Sequence, residues 1–347
     1  MRLPALLLAG AILATALPSV GSSTTPALPR IAVLDSGIDA AHPEFAPGQV
    51  VAWKDFVQGR PDPYDDHWHG TATASLAAGL NHAPCGSVPK LSFAPGAPLV
   101  IGKVLNAANS LATSSALAQG IDWAVAQQAR VVSISIGSAT TQFSTEDPLV
   151  RDAVARATAA GVLVVVSSGN GMTLRPAGAA TVASGVPWPA WTRNFGNLPE
   201  PLVVGPVARN GAGLDTGGYH LDPDVVSWGV SVCAAQPGGI MHGTLTGSSF
   251  ATPLVAGMAA HAIALAEDAG APSDPAHVKR LLTMSARNAV GLPYAREGLG
   301  FLLDGQWPTV AAHAAAGTFP DYAAQGAHAQ ADLLYAGRVA APLRDLP

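Results

Sequence analysis

The stretch Ile31-Ala32-Val33-Leu34-Asp35-Ser36-Gly37 decides the fold. Four apolar residues follow one another without a polar interruption, and the run ends at an aspartate, a serine and a glycine. A short run that is apolar on both faces predicts a strand buried on both sides, as in parallel sheets. Ligands gather outside the carboxyl ends of such strands. Asp35, which ends the run, is therefore the first candidate functional residue.

Similar runs recur along the chain and alternate with helical patterns. The apolar runs are 99–104, 131–136, 162–166 and 202–204, and the helical patterns are 71–80, 114–127, 148–160 and 250–266. Strands that alternate with helices predict an α/β fold, with a doubly wound, mostly parallel sheet and helices on both faces. No internal repeat or long linker interrupts residues 30–304, so we expect one domain there.

Composition excludes several classes of protein. Of the 347 residues, 49% are hydrophobic and only 12% are charged, and the net charge is -5. Ordinary soluble domains have about 25% charged residues. A disordered chain needs more charge and less apolar content. The absence of a basic run argues against nucleic acid or an anionic membrane as the main partner.

The first residues have the layout of a targeting segment. Met1-Arg2 provides a positive end, an apolar stretch runs from Leu3 to Leu17, and small residues follow. This pattern predicts a signal peptide at residues 1–22, and the apolar stretch is shorter than the about 20 residues of a membrane span. We expect a secreted protein, extracellular or periplasmic, with no membrane partner after signal cleavage. An uncleaved anchor is the alternative.

Export also bears on the cysteines, of which the chain has two, Cys85 and Cys233. An even number of cysteines in an oxidising compartment favours one disulfide. Two buried free thiols are the alternative. Neither cysteine has a neighbouring cysteine or histidine at zinc-site spacing, so a structural zinc ion is not expected.

Four polar residues stand where strands end or helices begin: Asp35, His69, Asn170 and Ser249. A serine becomes a strong nucleophile when a base takes its proton, and histidine can be that base near neutral pH. A buried carboxylate fixes the tautomer of the histidine, and an amide can donate a hydrogen bond to an oxyanion. Each residue alone is equally typical of a turn or a helix cap, so the prediction of a catalytic site depends on their combination.

Two further motifs connect this combination to a known family. These are His69-Gly70-Thr71 and Gly247-Ser248-Ser249-Phe250-Ala251-Thr252-Pro253. With the Asp, His, Ser order along the chain, they resemble the subtilisin family of serine endopeptidases over residues 30–304. The resemblance implies that Asp35, His69 and Ser249 form a catalytic triad and that Asn170 is the oxyanion donor. It also implies that the chemistry requires no cofactor.

The resemblance further implies where the substrate binds. In the family, the peptide backbone adds as a strand to exposed segments, a known recognition mode. The matching segments are Ser135-Ile136-Gly137 and Asn109-Ser110-Leu111, with Leu111 where a glycine is usual. Ser135-Ile136-Gly137 and Ser167-Ser168-Gly169 are expected to wall the first specificity pocket. Neither wall contains a carboxylate that would select a basic side chain, so an apolar or aromatic preference is expected.

Several departures from the family matter. Trp68 replaces a small residue before His69 and is expected to narrow the cleft. For the family's structural calcium, Glu44 matches a ligand position and Leu80–Cys85 resembles the binding loop, but His82 replaces an oxygen ligand. Calcium prefers six to eight oxygens. A calcium ion in this loop is therefore an open expectation, and a disulfide at Cys85 is the alternative staple.

The expected layout is a signal peptide at 1–22, a catalytic domain at 23–304 and an Ala-rich C-terminal extension of unknown role at 305–347. Only about a dozen residues separate the signal peptide from Asp35, so we expect folding without a pro-domain. The partner is a protein or peptide substrate, and the protein is expected to be a monomer. Two other functions stay open. One is a catalytically inactive binding protein, and the other is an esterase or peptide ligase that uses the same acyl-enzyme.

Overall fold

A seven-stranded parallel sheet forms the centre of the protein. The computed structural model describes residues 26–109, 113–136, 148–168, 170, 200–210, 223–287 and 300–320. Across the sheet the strands follow the order β2 (Val50–Asp55), β3 (Leu99–Lys103), β1 (Ile31–Asp35), β4 (Val131–Ile134), β5 (Leu163–Ser167), β6 (Leu202–Val207) and β7 (Val225–Trp228). Every neighbouring pair is parallel. The predicted α/β fold class is confirmed.

Six α-helices, a short 3-10 helix at Asp304–Gln306 and a hairpin complete the described part of the chain. The helices are α1 (His69–Ala78), α2 (Ser114–Ala126), α3 (Pro148–Ala159), α4 (Ser248–Asp268), α5 (Pro275–Ser285) and α6 (Trp307–Ala316). The antiparallel hairpin consists of β8 (Val232–Gln236) and β9 (Ile240–Leu245). The sequence patterns predicted α1 to α4 to within a few residues at each end, but not β2, β7, the hairpin, α5 or α6.

Helices cover both faces of the sheet because the strand side chains alternate in direction. Ile31 and Val33 of β1 join the core cluster that contains residues of α1 and α4. Ala32 and Leu34 join the second cluster, with residues of α2 and α3. All four side chains are at most 1% exposed, so β1 is buried on both faces as its sequence predicted.

Helix α4 is the central helix of the domain. Its length and mean hydropathy would suit a membrane span, but 89% of its apolar window is buried inside the protein, as in the core helix of a soluble domain. It packs closely on α1 at Gly257, where an added Cβ would lie 2.5 Å from the carbonyl oxygen of Ala77. Only glycine permits this approach of the two backbones.

Helix α6, which begins just after the predicted end of the catalytic domain, packs against α4. The Trp307 ring at the start of α6 lies 4.5 Å from the ring of His261 in α4 and 5.9 Å from the ring of Phe93. Val310 and Ala314 of α6 are buried in the same core as α4. Residues 321–347 lie outside the described residues, as does the predicted signal peptide.

The sheet order places a crevice at the carboxyl ends of β1 and β4. From β1 the chain builds β2 and β3 on one side, and then returns to build β4 to β7 on the other. Such a switch point opens a ligand-binding crevice at the strand ends. Asp35 ends β1 and Ser135 directly follows β4, so both lie at this point.

Candidate active site

Asp35 and His69 are joined by a short hydrogen bond. His69 Nδ1 lies 2.7 Å from Asp35 Oδ1, and both side chains are buried. Asp35 also accepts the backbone N–H of Ser36 at 2.7 Å and the hydroxyl of Thr73 at 3.1 Å. Because the carboxylate only accepts, Nδ1 carries the proton in this pair and Nε2 of His69 is left to act as a base.

The electrostatic surroundings favour the protonated form of His69. Burial alone lowers the pKa of this imidazole, but the charge of Asp35, its hydrogen bond and the charge of Asp65 outweigh burial. The pKa of His69 is therefore raised above the ordinary value of 6.5. An imidazolium formed during a reaction is stabilised by the same groups.

Ser249 lies in the first turn of α4, where backbone N–H groups have no partner within the helix. Its hydroxyl donates to the carbonyl oxygen of Ser135 at 3.2 Å, and the Ser135 hydroxyl donates to the carbonyl oxygen of Ser249 at 2.9 Å. Pro253 explains the second bond, because it lacks the N–H that would otherwise bond to that carbonyl four residues earlier. The motif thus ties α4 to the end of β4.

The imidazole of His69 lies beside the same turn. Its ring centroid is 5.6 Å from the ring of Phe250, the residue that follows Ser249. No hydrogen bond between His69 and Ser249 is present among the described contacts. Catalytic hydrogen bonds are often long or misaligned before substrate binds, so this geometry is compatible with a nucleophile and its base.

Asn170 is held against the start of α4 by its side-chain oxygen. Asn170 Oδ1 accepts the backbone N–H of Ser248 at 2.9 Å and the hydroxyl of Ser248 at 3.1 Å. A backbone N–H can pair with the amide oxygen but not with the NH2 group, which only donates, so this bond fixes the orientation of the amide. The NH2 group lies near Gly247, where an added Cβ would meet Nδ2 at 3.0 Å. Asn170 is therefore held next to Ser248, the residue before Ser249, by two hydrogen bonds to its oxygen.

Asp65 organises the approach to α1, and the sequence analysis missed it. Its carboxylate accepts hydrogen bonds from Ser36 Oγ (2.8 Å), Thr71 Oγ1 (2.6 Å) and the backbone N–H groups of His67 (3.1 Å), Trp68 (2.9 Å) and Thr71 (2.8 Å). Burial works to raise the pKa of Asp65, but these hydrogen bonds hold it below its ordinary value. The carboxylate thus caps the helix that begins at His69.

The backbone of the turn after Asp35 also lies very close to the backbone at the start of α1. An added Cβ on Gly70 would lie 2.2 Å from the carbonyl oxygen of Gly37, and Gly70 N–H donates to Ser36 Oγ at 2.8 Å. Lys103, fully buried at the end of β3, donates to the carbonyl oxygen of Ser36 at 2.6 Å. These contacts hold the turn after Asp35 against the start of α1.

Trp68 has an unusual backbone conformation directly before His69. Its φ of 95° lies in a region that bulky residues rarely adopt and that costs about 1–3 kcal/mol. The indole stacks on the ring of Phe250 at 6.4 Å and on the ring of His67 at 5.1 Å. The indole therefore packs beside His69 on the residue that follows Ser249, and the narrowed cleft stays a prediction.

The two predicted pocket walls lie side by side where described. Ile134 and Val166 pair across β4 and β5, and the hydroxyl of Ser167 donates to the carbonyl oxygen of Ile136 at 3.2 Å. Ser135, Ser167 and Ser168 are buried. Gly137 and Gly169 lie outside the described residues, as do Ser110 and Leu111 of the second predicted substrate segment.

The two cysteines form a disulfide between the loop that follows α1 and strand β8. The sequence left a disulfide and two free thiols as alternatives, and the structure contains the disulfide. This loop and Glu44, which packs against it, are the residues that resembled a calcium site. There Glu44 faces the ammonium of Lys90, with Nζ 3.8 Å from Oε2 and both side chains 1% exposed.

Fold and site together define a serine protease domain: a parallel sheet with an aspartate-bound histidine beside a serine at a helix N-terminus. The model of the subtilase family matches residues 29–301. The chain belongs to the subtilase family. Subtilases need no cofactor for catalysis.

Named relatives and a solved structure agree with this assignment. Over 231 residues the chain is 36% identical to Subtilisin Savinase of Lederbergia lenta, covering 67% of this chain and 74% of that protein. M-protease of Shouchella clausii (strain KSM-K16) is also 36% identical over 231 residues, but the match spans only 53% of its length. A solved mutant of the PatA protease domain is 26% identical with a TM-score of 0.64, covering 86% of this chain and 99% of that one.

Proposed function

We propose that the chain is a secreted serine endopeptidase that hydrolyses peptide bonds in protein or peptide substrates. Asp35, His69 and Ser249 are the triad and Asn170 is the oxyanion donor in this proposal. The observation that carries it is the buried 2.7 Å contact between Asp35 and His69, next to the helix turn that contains Ser249. The length of chain matched in relatives varies, so the activity of the whole protein is itself part of the proposal.

The first step is attack of Ser249 on the substrate carbonyl. The hydroxyl turns from the carbonyl oxygen of Ser135 towards Nε2 of His69 and transfers its proton there as the Oγ–C bond forms. Asp35 keeps the other ring nitrogen protonated and stabilises the resulting imidazolium. The raised pKa of His69 supports this role, since it reports that the same surroundings favour the charged ring.

The negative oxygen of the tetrahedral intermediate needs donors that are in place beforehand. Asn170 supplies one, because its oxygen is occupied by Ser248 and its NH2 group is left to donate. The backbone N–H of Ser249 and the positive end of the α4 dipole supply the second contribution. The second donor belongs to α4 and Asn170 is hydrogen-bonded to the start of the same helix, so both are in place before the reaction in this proposal.

The second half returns the enzyme to its starting state. His69 donates the proton from Nε2 to the leaving amine as the C–N bond breaks, which leaves an acyl-enzyme on Ser249. Water then attacks, gives its proton to His69 and releases the carboxylic acid, while Oγ regains the proton. Over the whole cycle, one peptide bond and one water molecule are converted to a carboxylic acid and an amine.

Substrate side chains are proposed to enter the pocket between Ser135-Ile136-Gly137 and Ser167-Ser168-Gly169. The walls offer serine hydroxyls, an isoleucine and backbone groups but no charge. An apolar or aromatic residue on the acyl side of the scissile bond fits such a pocket. Trp68, which stacks on Phe250, is proposed to narrow the cleft beside the nucleophile and so to favour extended, unfolded segments over compact protein surfaces.

Secretion is supported by the pattern of residues 1–22 and by the disulfide, since disulfides persist in oxidising compartments. The secreted protein is proposed to act as a monomer. An esterase or peptide ligase would use the same acyl-enzyme with an ester substrate or an amine acceptor. An inactive binding protein would keep the fold without turnover.

A cleavage assay separates these functions. The full chain is incubated with casein and with ester and amine-acceptor substrates, beside Ser249→Ala and the surface control Ser115→Ala. We expect peptide-bond cleavage by the parent and by Ser115→Ala, and none above background by Ser249→Ala. Ester hydrolysis or ligation without casein cleavage would favour the alternatives on the same chemistry. Equal, negligible turnover by all three would contradict the proposal.

A further inference from the structure

A buried ion pair joins Glu44 to the loop that follows α1, which we define as residues 80–91. Lys90 and Glu44 are each 1% exposed at the side chain, and Nζ lies 3.8 Å from Oε2. Burying two charges is costly unless the remaining donors and lone pairs find partners. The hydrogen-bond partners of each charge therefore indicate the role of the pair.

The ammonium of Lys90 is surrounded by oxygen atoms. Nζ donates to the carbonyl oxygen of Ser75 at 2.7 Å, to that of Leu91 at 3.3 Å and to Asn81 Oδ1 at 3.4 Å. With Glu44 these are carbonyl, amide and carboxylate oxygens, the ligand types that calcium takes. The oxygen cage thus already contains a cation, which is covalently part of the chain.

The carboxylate of Glu44 is occupied in a way that does not suit a metal ligand. It accepts the backbone N–H groups of Asn81 at 3.0 Å, His82 at 2.8 Å and Ala83 at 3.2 Å. Three N–H donors point at the oxygens that a calcium ion would need, and each carries a partial positive charge towards them. A calcium ion in this loop would have to displace both these donors and the ammonium of Lys90. The residues present do not fit calcium.

The disulfide holds the same loop covalently. Cys85 lies within it, and the backbone of Lys90 forms a parallel bridge with Cys233, the other half of the disulfide. The loop is thus fixed to β8 at both the cross-link and the lysine. A structural metal ion stabilises a loop in the same way, by fixing it to the rest of the domain.

We propose that the Lys90 ammonium is the resident cation of loop 80–91 and, with the disulfide, replaces calcium as its stabiliser. The loop then needs no added metal for stability. Burial lowers the pKa of Lys90 to about 8, with the charge of Glu44 acting in the opposite direction, so the ammonium is charged at pH 7. This inference concerns folding stability and is independent of the proposed protease activity.

Calcium dependence of thermal unfolding is the first test. The full chain with Ser249→Ala, which prevents self-cleavage, is melted at pH 7 in millimolar calcium and in excess chelator. The same pair of melts is run on Ser249→Ala/Glu44→Gln. We expect either no calcium effect on Tm or an effect that Glu44→Gln leaves unchanged. A rise in Tm with calcium that Glu44→Gln abolishes would overturn the proposal.

Removal of the ammonium is the second test. In the same background, Lys90→Met leaves Glu44 buried without its cation, and Tm should fall by about 5–15 °C. Glu44→Gln/Lys90→Met removes both charges and should recover a large part of that loss. Lys279→Met, which breaks a buried lysine pair with Asp224 elsewhere, is the matched control and should not be recovered by Glu44→Gln. A double variant no more stable than Lys90→Met, whether that variant folds or not, would refute the role of the ammonium.

Discussion

Replacing Asp65 by asparagine tests whether this carboxylate positions His69. The substitution keeps the shape of the side chain but removes its charge and turns one oxygen into an NH2 group. In the native structure Oδ2 accepts from the N–H and the hydroxyl of Thr71, and Oδ1 accepts from Ser36, His67 and Trp68. Whichever way the amide is placed, at least one backbone donor faces another donor.

The stability loss follows from these contacts. A hydrogen bond to a charged group contributes about 1.5–3 kcal/mol, and the two bonds to Oδ2 are lost or inverted when NH2 takes that place. Partial relaxation offsets some of this, so we expect a loss of roughly 3 kcal/mol. For a domain of this size, that lowers Tm by about 6–12 °C. Thermal unfolding of Asp65→Asn in a Ser249→Ala background measures it.

The second effect of Asp65→Asn is electrostatic, and stability alone would not produce it. Because the charge of Asp65 helps to raise the pKa of His69, its removal should move the acid limb of kcat/KM to lower pH. Asp66→Asn is the control. The substitution removes the same charge one residue away, from a carboxylate that bonds to Lys103. An acid limb that stays in place in Asp65→Asn, or moves to higher pH, would refute the reasoning.

Three further outcomes are expected. The acid limb of kcat/KM for the parent enzyme should lie above pH 6.5, because activity needs neutral His69 and is lost as pH falls through its raised pKa; a limb below 6.5 would contradict this. Asn170→Ala should lower kcat by about 10²–10³ with little change in KM, and an equal rise in KM would argue against an oxyanion role. Gly70→Ala, whose Cβ would meet a carbonyl oxygen at 2.2 Å, should unfold the domain or lower the free energy of unfolding by more than about 3 kcal/mol. Gly305→Ala, in open space, should lower it by less than about 1 kcal/mol, and denaturant titrations measure both.

Strands β1, β3, β4, β5 and β6 were predictable because each contains a short apolar run. β1 and β5 are buried at every position, and each is apolar up to its last residue. Strand β7 is also buried throughout, but its short sequence, Val225–Trp228, was not recognised as a strand. Strand β2 was missed because it lies at the sheet edge, where every residue except Asp55 is at least partly exposed and the register shifts at a bulge. Helix α5 had a readable start, Asp274 before Pro275, but its amphipathic pattern was not recognised.

The residues of the candidate site also differ in how far the sequence alone predicted them. Asp35, His69, Asn170 and Ser249 stand at strand ends and helix starts, so their positions in sequence already place them at one edge of the sheet. The roles of Asp65 and Lys90 could not be predicted locally, because their partners come from separate elements. A lone aspartate before a helix is a common cap, and only the fold shows that Ser36 and Thr71 meet at the same carboxylate.

Identification of the residue that an active-site-directed reagent modifies tests the central claim most directly. The full chain and Ser249→Ala are treated with a serine-directed fluorophosphonate, and adducts are mapped by tandem mass spectrometry. The account predicts a stoichiometric adduct on Ser249 in the parent, slowed when His69 is replaced by alanine, and no adduct in Ser249→Ala. An adduct on a different serine, or none on the folded parent protein, would contradict the assignment of Ser249 as the nucleophile.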